Sequence, residues 1–73
     1  MGAAPLEATV VEFDREVGLG AVVTDDGDRL RFHSTAIADG TRDIAVGSRV
    51  LVGLAAAHAG TVEASPVTPV PGT

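Results

Sequence analysis

The side chains best suited to chemistry lie in one short stretch, residues 30–34, which reads Leu-Arg-Phe-His-Ser. An alternating strand pattern puts Arg31 and His33 on one face of this stretch and Phe32 on the other. A guanidinium can lie over an aromatic base, and an imidazole can stack on one. Ser34 points away from His33, and the pattern places no carboxylate to orient the imidazole. The stretch therefore predicts binding, and we expect no enzymatic activity and no small-molecule substrate.

The charge balance limits what this face could bind. The chain carries a formal net charge of −5, with an isoelectric point near 4.6, and all five of its basic residues are arginine. Nucleic-acid-binding proteins usually gain affinity from clustered basic side chains that neutralise phosphates. The overall charge argues against tight nucleic-acid binding, although a local basic patch can act against it.

Size and composition place the chain in a narrow class. Its 73 residues make one small domain, and it contains no cysteine, so we expect neither a disulfide nor a thiolate metal site. No spacing typical of a metal or cofactor site is present, and none is expected. No stretch approaches the roughly 20 apolar residues that cross a bilayer, so we expect no membrane association and a cytoplasmic protein.

Short strand-like runs separated by turns organise the chain. The alternation predicts strands at residues 6–13, 19–24, 29–33, 49–55 and 61–64. We further predict a short helical or 3₁₀ turn over 34–38, a loop anchored by Ile44 and a turn at His58. Five short strands in so short a chain predict an all-β, antiparallel barrel, because closure removes exposed strand edges. The domain is predicted to span 6–67, between a flexible N-terminus (1–5) and a proline-rich tail (68–73) that is extended or disordered.

Several spaced motifs resemble the bacterial cold-shock protein family. They are, in chain order, Thr9-Val10-Val11-Glu12-Phe13-Asp14, Gly18-Leu19-Gly20-Ala21-Val22, Phe32-His33-Ser34-Thr35-Ala36-Ile37 and Gly47-Ser48-Arg49-Val50. The correspondence runs from about residue 6 to residue 67, with one deletion in the loop 39–44. The resemblance implies a five-stranded OB-type barrel that binds single-stranded RNA or DNA.

The family's base-stacking residues are mostly replaced in this chain. Its stacking rings correspond to five other residue types here: Glu12, Leu19, Ala21, Arg31 and Ser34. The lysine of its glycine motif corresponds to Val17. Losing three or four rings at about 1 kcal/mol each lowers affinity more than a hundredfold. We therefore expect weak, salt-sensitive binding of single-stranded RNA or DNA.

The resemblance and the residues together give a candidate nucleic-acid surface. It consists of Phe13, Leu19, Ala21, Arg31 and His33. Two of its members have an alternative interpretation. Phe13 is equally well explained as a packed strand end, and Arg31 as a partner of Glu12 or Glu16.

A second function stays open. The substituted face is largely aliphatic, and apolar surface of that kind is typical of a protein interface. The residues of this alternative surface are Val11, Leu19, Ala21, Val23 and Leu51. They predict a protein partner or self-association.

Overall fold

The computed structural model describes residues 5–40, 42–56 and 60–70. Its strands are β1 (Leu6–Asp14), β2 (Leu19–Thr24), β3 (Arg29–His33), β4 (Arg49–Ala56) and β5 (Val62–Pro69), with a 3₁₀ turn at Ser34–Ala36. They form a closed barrel in the order β1-β2-β3-β5-β4, and β4 pairs back onto β1. The predicted all-β, five-stranded barrel is confirmed, and it is consistent with an OB-type fold.

One seam of the barrel differs from the prediction. Strands β3 and β5 run parallel, with Arg31 opposite Glu63, whereas the other neighbouring strands are antiparallel. The prediction of an entirely antiparallel sheet is therefore wrong at this seam. No sequence pattern within either strand reports this pairing, because it joins segments 32 positions apart.

The turn Asp-Asp-Gly-Asp, residues 25–28, joins β2 and β3 in a hairpin. Gly27 adopts φ +93°, a conformation that glycine reaches without steric cost. The N–H of Gly27 donates to the carbonyl oxygen of Thr24 (2.8 Å), and the hydroxyl of Thr24 accepts from the N–H of Asp28 (3.1 Å). These two hydrogen bonds close the turn as it reverses the chain.

The core lies inside the barrel. Its buried members are Ala8, Val10, Val22, Phe32, Ile37, Val50, Val52, Ala64 and Val67. Ile44 packs against them, which confirms that it anchors the loop before β4. The inward alternation predicted for β2 and β3 is also correct at Val22 and Phe32.

A β-bulge in β1 reverses the predicted alternation. Val10 pairs with Val22, but the next pair is Glu12 with Ala21, which leaves Val11 as the extra residue. Phe13 therefore points into the barrel and not outward with Val11. Its side chain packs against the core, which agrees with the interpretation of Phe13 as a packed strand end and not with a position on the outer face.

A second bulge affects β4. The register shifts between Val52 and Leu54, and Leu54 is 57% exposed although alternation predicts it beside Val52 in the core. Gly53, between them, has no room for a side chain, because a Cβ there would lie 2.8 Å from the carbonyl oxygen of Ser65. The bulge therefore brings β4 and β5 together at a glycine.

The last strand is longer than predicted. β5 continues through a cis Ser65–Pro66 bond to Pro69, and Val67 is fully buried. The N–H of Val70 donates to the carbonyl oxygen of Arg49 at 3.1 Å. The first residues of the predicted tail are thus extended and hydrogen-bonded to the barrel. Residues 1–4, the predicted turn at His58 and residues 71–73 lie outside the described residues.

The described residues were compared with the length and hydropathy that a membrane-spanning helix requires. Within residues 5–40, 42–56 and 60–70, no helix has the length and apolar character to cross a bilayer.

Replacement of Gly20 tests the packing of the core. A Cβ at this position would lie 2.5 Å from Cζ of Phe32 and 2.7 Å from the carbonyl oxygen of Glu12. We expect Gly20→Ala to lower the free energy of unfolding by about 3 kcal/mol, measured by urea denaturation, because the backbone of Glu12 cannot move away easily.

Two further variants control this measurement. Gly27→Ala introduces backbone strain without a clash and should cost only about 1 kcal/mol. In the double variant Gly20→Ala/Phe32→Leu, leucine replaces the ring that the new Cβ would meet. Its free energy of unfolding should therefore fall by less than the sum of the losses in the two single variants. Equal costs for the two alanine variants, with no coupling to Phe32, would contradict the proposed clash.

An exposed ion network joins β1, β4 and the β2–β3 turn. Nη1 and Nη2 of Arg49 donate to Oδ1 and Oδ2 of Asp25 at 2.9 and 3.1 Å. Nη1 also donates to the hydroxyl of Thr9 (3.0 Å), and Nη2 lies 3.4 Å from a carboxylate oxygen of Glu7. Hydrogen bonding to Arg49, aided by its charge, holds the pKa of Asp25 below its ordinary value of 3.8.

Acid should remove the stabilisation that this network gives to the folded state. Because the folded-state pKa of Asp25 is lowered, its stabilisation is complete above pH 3.8 and is lost as the pH falls through the folded-state pKa. We expect Asp25→Asn to lower the urea midpoint at pH 6 and to approach the wild-type midpoint once the pH falls below the lowered folded-state pKa of Asp25. Asp26→Asn makes the same charge change at the neighbouring position and should have the urea midpoints of the wild type. If the urea midpoint of Asp25→Asn is lower than that of the wild type by the same amount at every pH, this linkage is refuted.

Candidate nucleic-acid interface

The outer face of β1, β2 and β3 presents side chains in rows across the strands. One row runs from Glu12 through Ala21 and Arg31 to Glu63 on β5. The next row places Leu19 between Asp14 and His33. Because directly opposed residues have Cβ atoms about 5 Å apart, the members of each row are neighbours.

These rows line a shallow groove of about 440 Å³. Its residues are Glu12, Asp14, Val17, Leu19, Gly20, Ala21, Arg29, Arg31, His33 and Glu63. The small residues Gly20 and Ala21 lie buried at its base, and charged side chains form its walls. Four of the five predicted nucleic-acid residues therefore lie together, namely Leu19, Ala21, Arg31 and His33.

Phe13 lies apart from these four. Its ring stacks on the buried ring of Phe32, with centroids 5.9 Å apart and planes within 5°. Gly20 lies between them in register, opposite both Phe13 and Phe32. The packed-strand-end interpretation of Phe13 therefore fits the structure better than the stacking interpretation.

The guanidinium of Arg31 is the charged group of the groove that can most readily contact a ligand. Within the part of the chain that the structure describes, its guanidinium has no hydrogen-bond or ion-pair partner. The predicted partner Glu12 contacts Arg29 instead, with Nη2 to Oε2 at 3.5 Å. Arg31 is exposed and available to a ligand.

His33 has a partner that sequence reasoning missed. Its Nε2 lies 3.4 Å from Oε2 of Glu63, which is brought there by the parallel pairing of β3 with β5. The sequence placed no carboxylate near His33, whereas the structure places Glu63 within ion-pair distance of it. Only knowledge of the strand order could have revealed Glu63. Among the described residues, no group of three or more acidic or histidine side chains is arranged to hold a metal ion.

The electrostatic character of the groove is mixed. Three carboxylates, those of Glu12, Asp14 and Glu63, face two guanidinium groups, those of Arg29 and Arg31. A phosphate entering the groove would meet these carboxylates at close range. The groove is therefore better suited to a base than to a phosphate.

The predicted aliphatic surface is not continuous. Leu19 and Val11 are 40% and 38% exposed, but Ala21 is buried. The row that contains Val23 continues through Thr9 to Arg49, so polar side chains separate it from Leu51 on β4.

Comparisons with known proteins add no family assignment. No known family's sequence profile matches the chain, and a search of curated proteins finds no significant similarity. The cold-shock resemblance rests on the motif residues, and the structure supports the barrel to which those motifs belong.

Truncation of Phe13 tests whether its ring belongs to the core. We expect Phe13→Ala to lower the free energy of unfolding by about 2 kcal/mol, because the stack on Phe32 is lost. This loss is smaller than for a fully buried ring, because Phe13 is only partly buried. Val17→Ala removes a 65% exposed side chain and should change stability by less than about 0.5 kcal/mol. Thermal or urea denaturation measures both, and a neutral Phe13→Ala would argue for a ring facing solvent.

Proposed function

We propose that this chain is a cold-shock-like protein that binds single-stranded RNA or DNA weakly through the groove over β2 and β3. The observation that carries this proposal is the guanidinium of Arg31, which has no partner among the described residues and lies beside Leu19, Ala21 and His33 on the outer face of an OB-type barrel. Barrels of this type commonly bind single strands on that face.

Each residue of the groove has a definable role in such binding. Arg31 stacks on a base or donates hydrogen bonds to its edge, and His33, which lies near Glu63, offers a second flat surface. Leu19, 40% exposed, contributes apolar contact. Phe13 acts indirectly, since its ring supports Phe32 beneath Gly20.

The same residues limit the affinity. Each missing aromatic platform removes about 1 to 3 kcal/mol of stacking energy per base. Carboxylates in the groove also repel the phosphate backbone, so a bound strand must keep its phosphates at the rim. Binding is therefore weak, because few phosphates meet a basic side chain.

The structure favours this proposal over a protein-interaction surface. A docking patch needs contiguous apolar exposure, whereas Ala21 is buried and Thr9 and Arg49 interrupt the surface between Val23 and Leu51. The groove, by contrast, brings together three exposed members of the predicted nucleic-acid surface, namely Leu19, Arg31 and His33.

A titration with short single-stranded RNA and DNA at low salt tests the proposal. We expect amide shift changes in two-dimensional NMR spectra to concentrate at Leu19, Ala21, Arg31 and His33. Raising the salt concentration should change the affinity only slightly, in contrast to the salt sensitivity expected from the sequence, because the carboxylates keep phosphates away from the basic side chains.

Charge-reversal variants separate specific from general electrostatic effects. Arg31→Glu should abolish the shift changes in the groove. Arg42→Glu makes the same charge change outside the groove and should reduce the affinity only slightly. Unchanged spectra at millimolar protein and oligonucleotide concentrations, or equal losses in both variants, would count against binding at this site.

A further inference from the structure

The groove places a carboxylate and a guanidinium on opposite sides of a small side chain. Glu12 on β1 and Arg31 on β3 are both paired with Ala21 on β2, which is only 2% exposed. Neighbouring strands lie about 4.8 Å apart, so the backbones of Glu12 and Arg31 are about 10 Å apart. A flat ring lying over Ala21 comes within reach of both long side chains.

The charges define which chemical groups this arrangement accepts. Glu12 offers two adjacent acceptor oxygens, and Arg31 offers a fork of N–H donors. A matching ligand has two neighbouring donors on one edge and two neighbouring acceptors on another. A phosphate matches only Arg31 and is repelled by Glu12.

Among the common bases, guanine meets both requirements. Its N1–H and N2 amine are adjacent donors, and its O6 and N7 are the acceptors that arginine contacts most often. Uracil and thymine have one N–H flanked by two carbonyl groups. Adenine and cytosine have their amine beside a ring acceptor, which would face the second carboxylate oxygen.

We propose that the groove selects guanine, with Glu12 accepting from N1–H and the N2 amine and Arg31 donating to O6 and N7. This assignment deepens the proposed function and rests on it, because it names the base that the single-strand groove prefers.

Both side chains are available for this role. Arg31 has no partner among the residues described, and the contact of Glu12 with Arg29 is long, at 3.5 Å, between side chains that are 68% and 59% exposed. Exposed ion pairs of this kind contribute little, so Glu12 exchanges partners at low cost. Ala21 lies at the base of the groove, below these exposed side chains, so a ring enters the groove as they change partners.

Mononucleotides with one common phosphate isolate the contribution of the base. We expect GMP to bind about tenfold more tightly than UMP in NMR titrations, with shift changes at Ala21 and Arg31. IMP, which lacks only the N2 amine, should have an affinity between the two.

Two isosteric variants test the part played by Glu12. Glu12→Gln should weaken GMP binding and at the same time strengthen UMP binding, since the carboxylate repels the phosphate in both cases but accepts hydrogen bonds only from guanine. A purely structural role would change both affinities in the same direction. Asp14→Asn makes the same charge change in the adjacent row and should leave the ratio of GMP to UMP affinity at its wild-type value.

The outcomes separate this inference from the function on which it rests. Equal affinities for GMP and UMP, or a ratio that Glu12→Gln leaves unchanged, overturn guanine selection, while oligonucleotide binding at the groove would still support the proposed function. GMP selectivity without oligonucleotide binding refutes the nucleic-acid function and retains a guanine site. Absence of shift changes with all three mononucleotides at millimolar concentration overturns the guanine site itself.

Discussion

The close contact of the Phe32 ring with the backbone of Gly20 is the constraint on which the groove depends. Because position 20 has no Cβ, the ring fills the space beneath β2 and stacks on Phe13 from the end of β1. The bulge at Val11 turns Phe13 inward to complete this stack. The same bulge turns Glu12 outward, so the packing inside the barrel determines which charges line its outer face.

Local patterns predicted the elements that obey simple alternation. Strands β2 and β3 have the predicted bounds, and the Asp-Asp-Gly-Asp turn joins them, because Leu30 and Phe32 alternate cleanly with Arg31 and His33. The bulges in β1 and β4 were not predictable, since each inserts one residue without leaving a gap in the apolar pattern. The strand character of β5 was also hidden, because prolines at 66 and 69 are typical of an irregular tail.

The candidate site was predictable to the extent that it lies on β2 and β3. Leu19, Ala21, Arg31 and His33 share a face because a hairpin of known register brings them together. Glu63 escaped prediction, as its position depends on a parallel pairing between distant segments. The ion pair of Glu12 with Arg29, and not with Arg31, depends on side-chain rotamers that no pattern specifies.

The parallel seam between β3 and β5 has a consequence for motion. Among the described residues it contains the single register pair Arg31–Glu63, with a separate bridge from Ile37 to Val67, while the antiparallel seams contain four to six pairs each. Sparse pairing makes this seam the easiest place for the barrel to open transiently. The groove crosses the seam, so any ligand that touches both Arg31 and Glu63 binds the closed barrel preferentially and slows its opening. Occupancy of the groove and closure of the barrel are thus thermodynamically coupled.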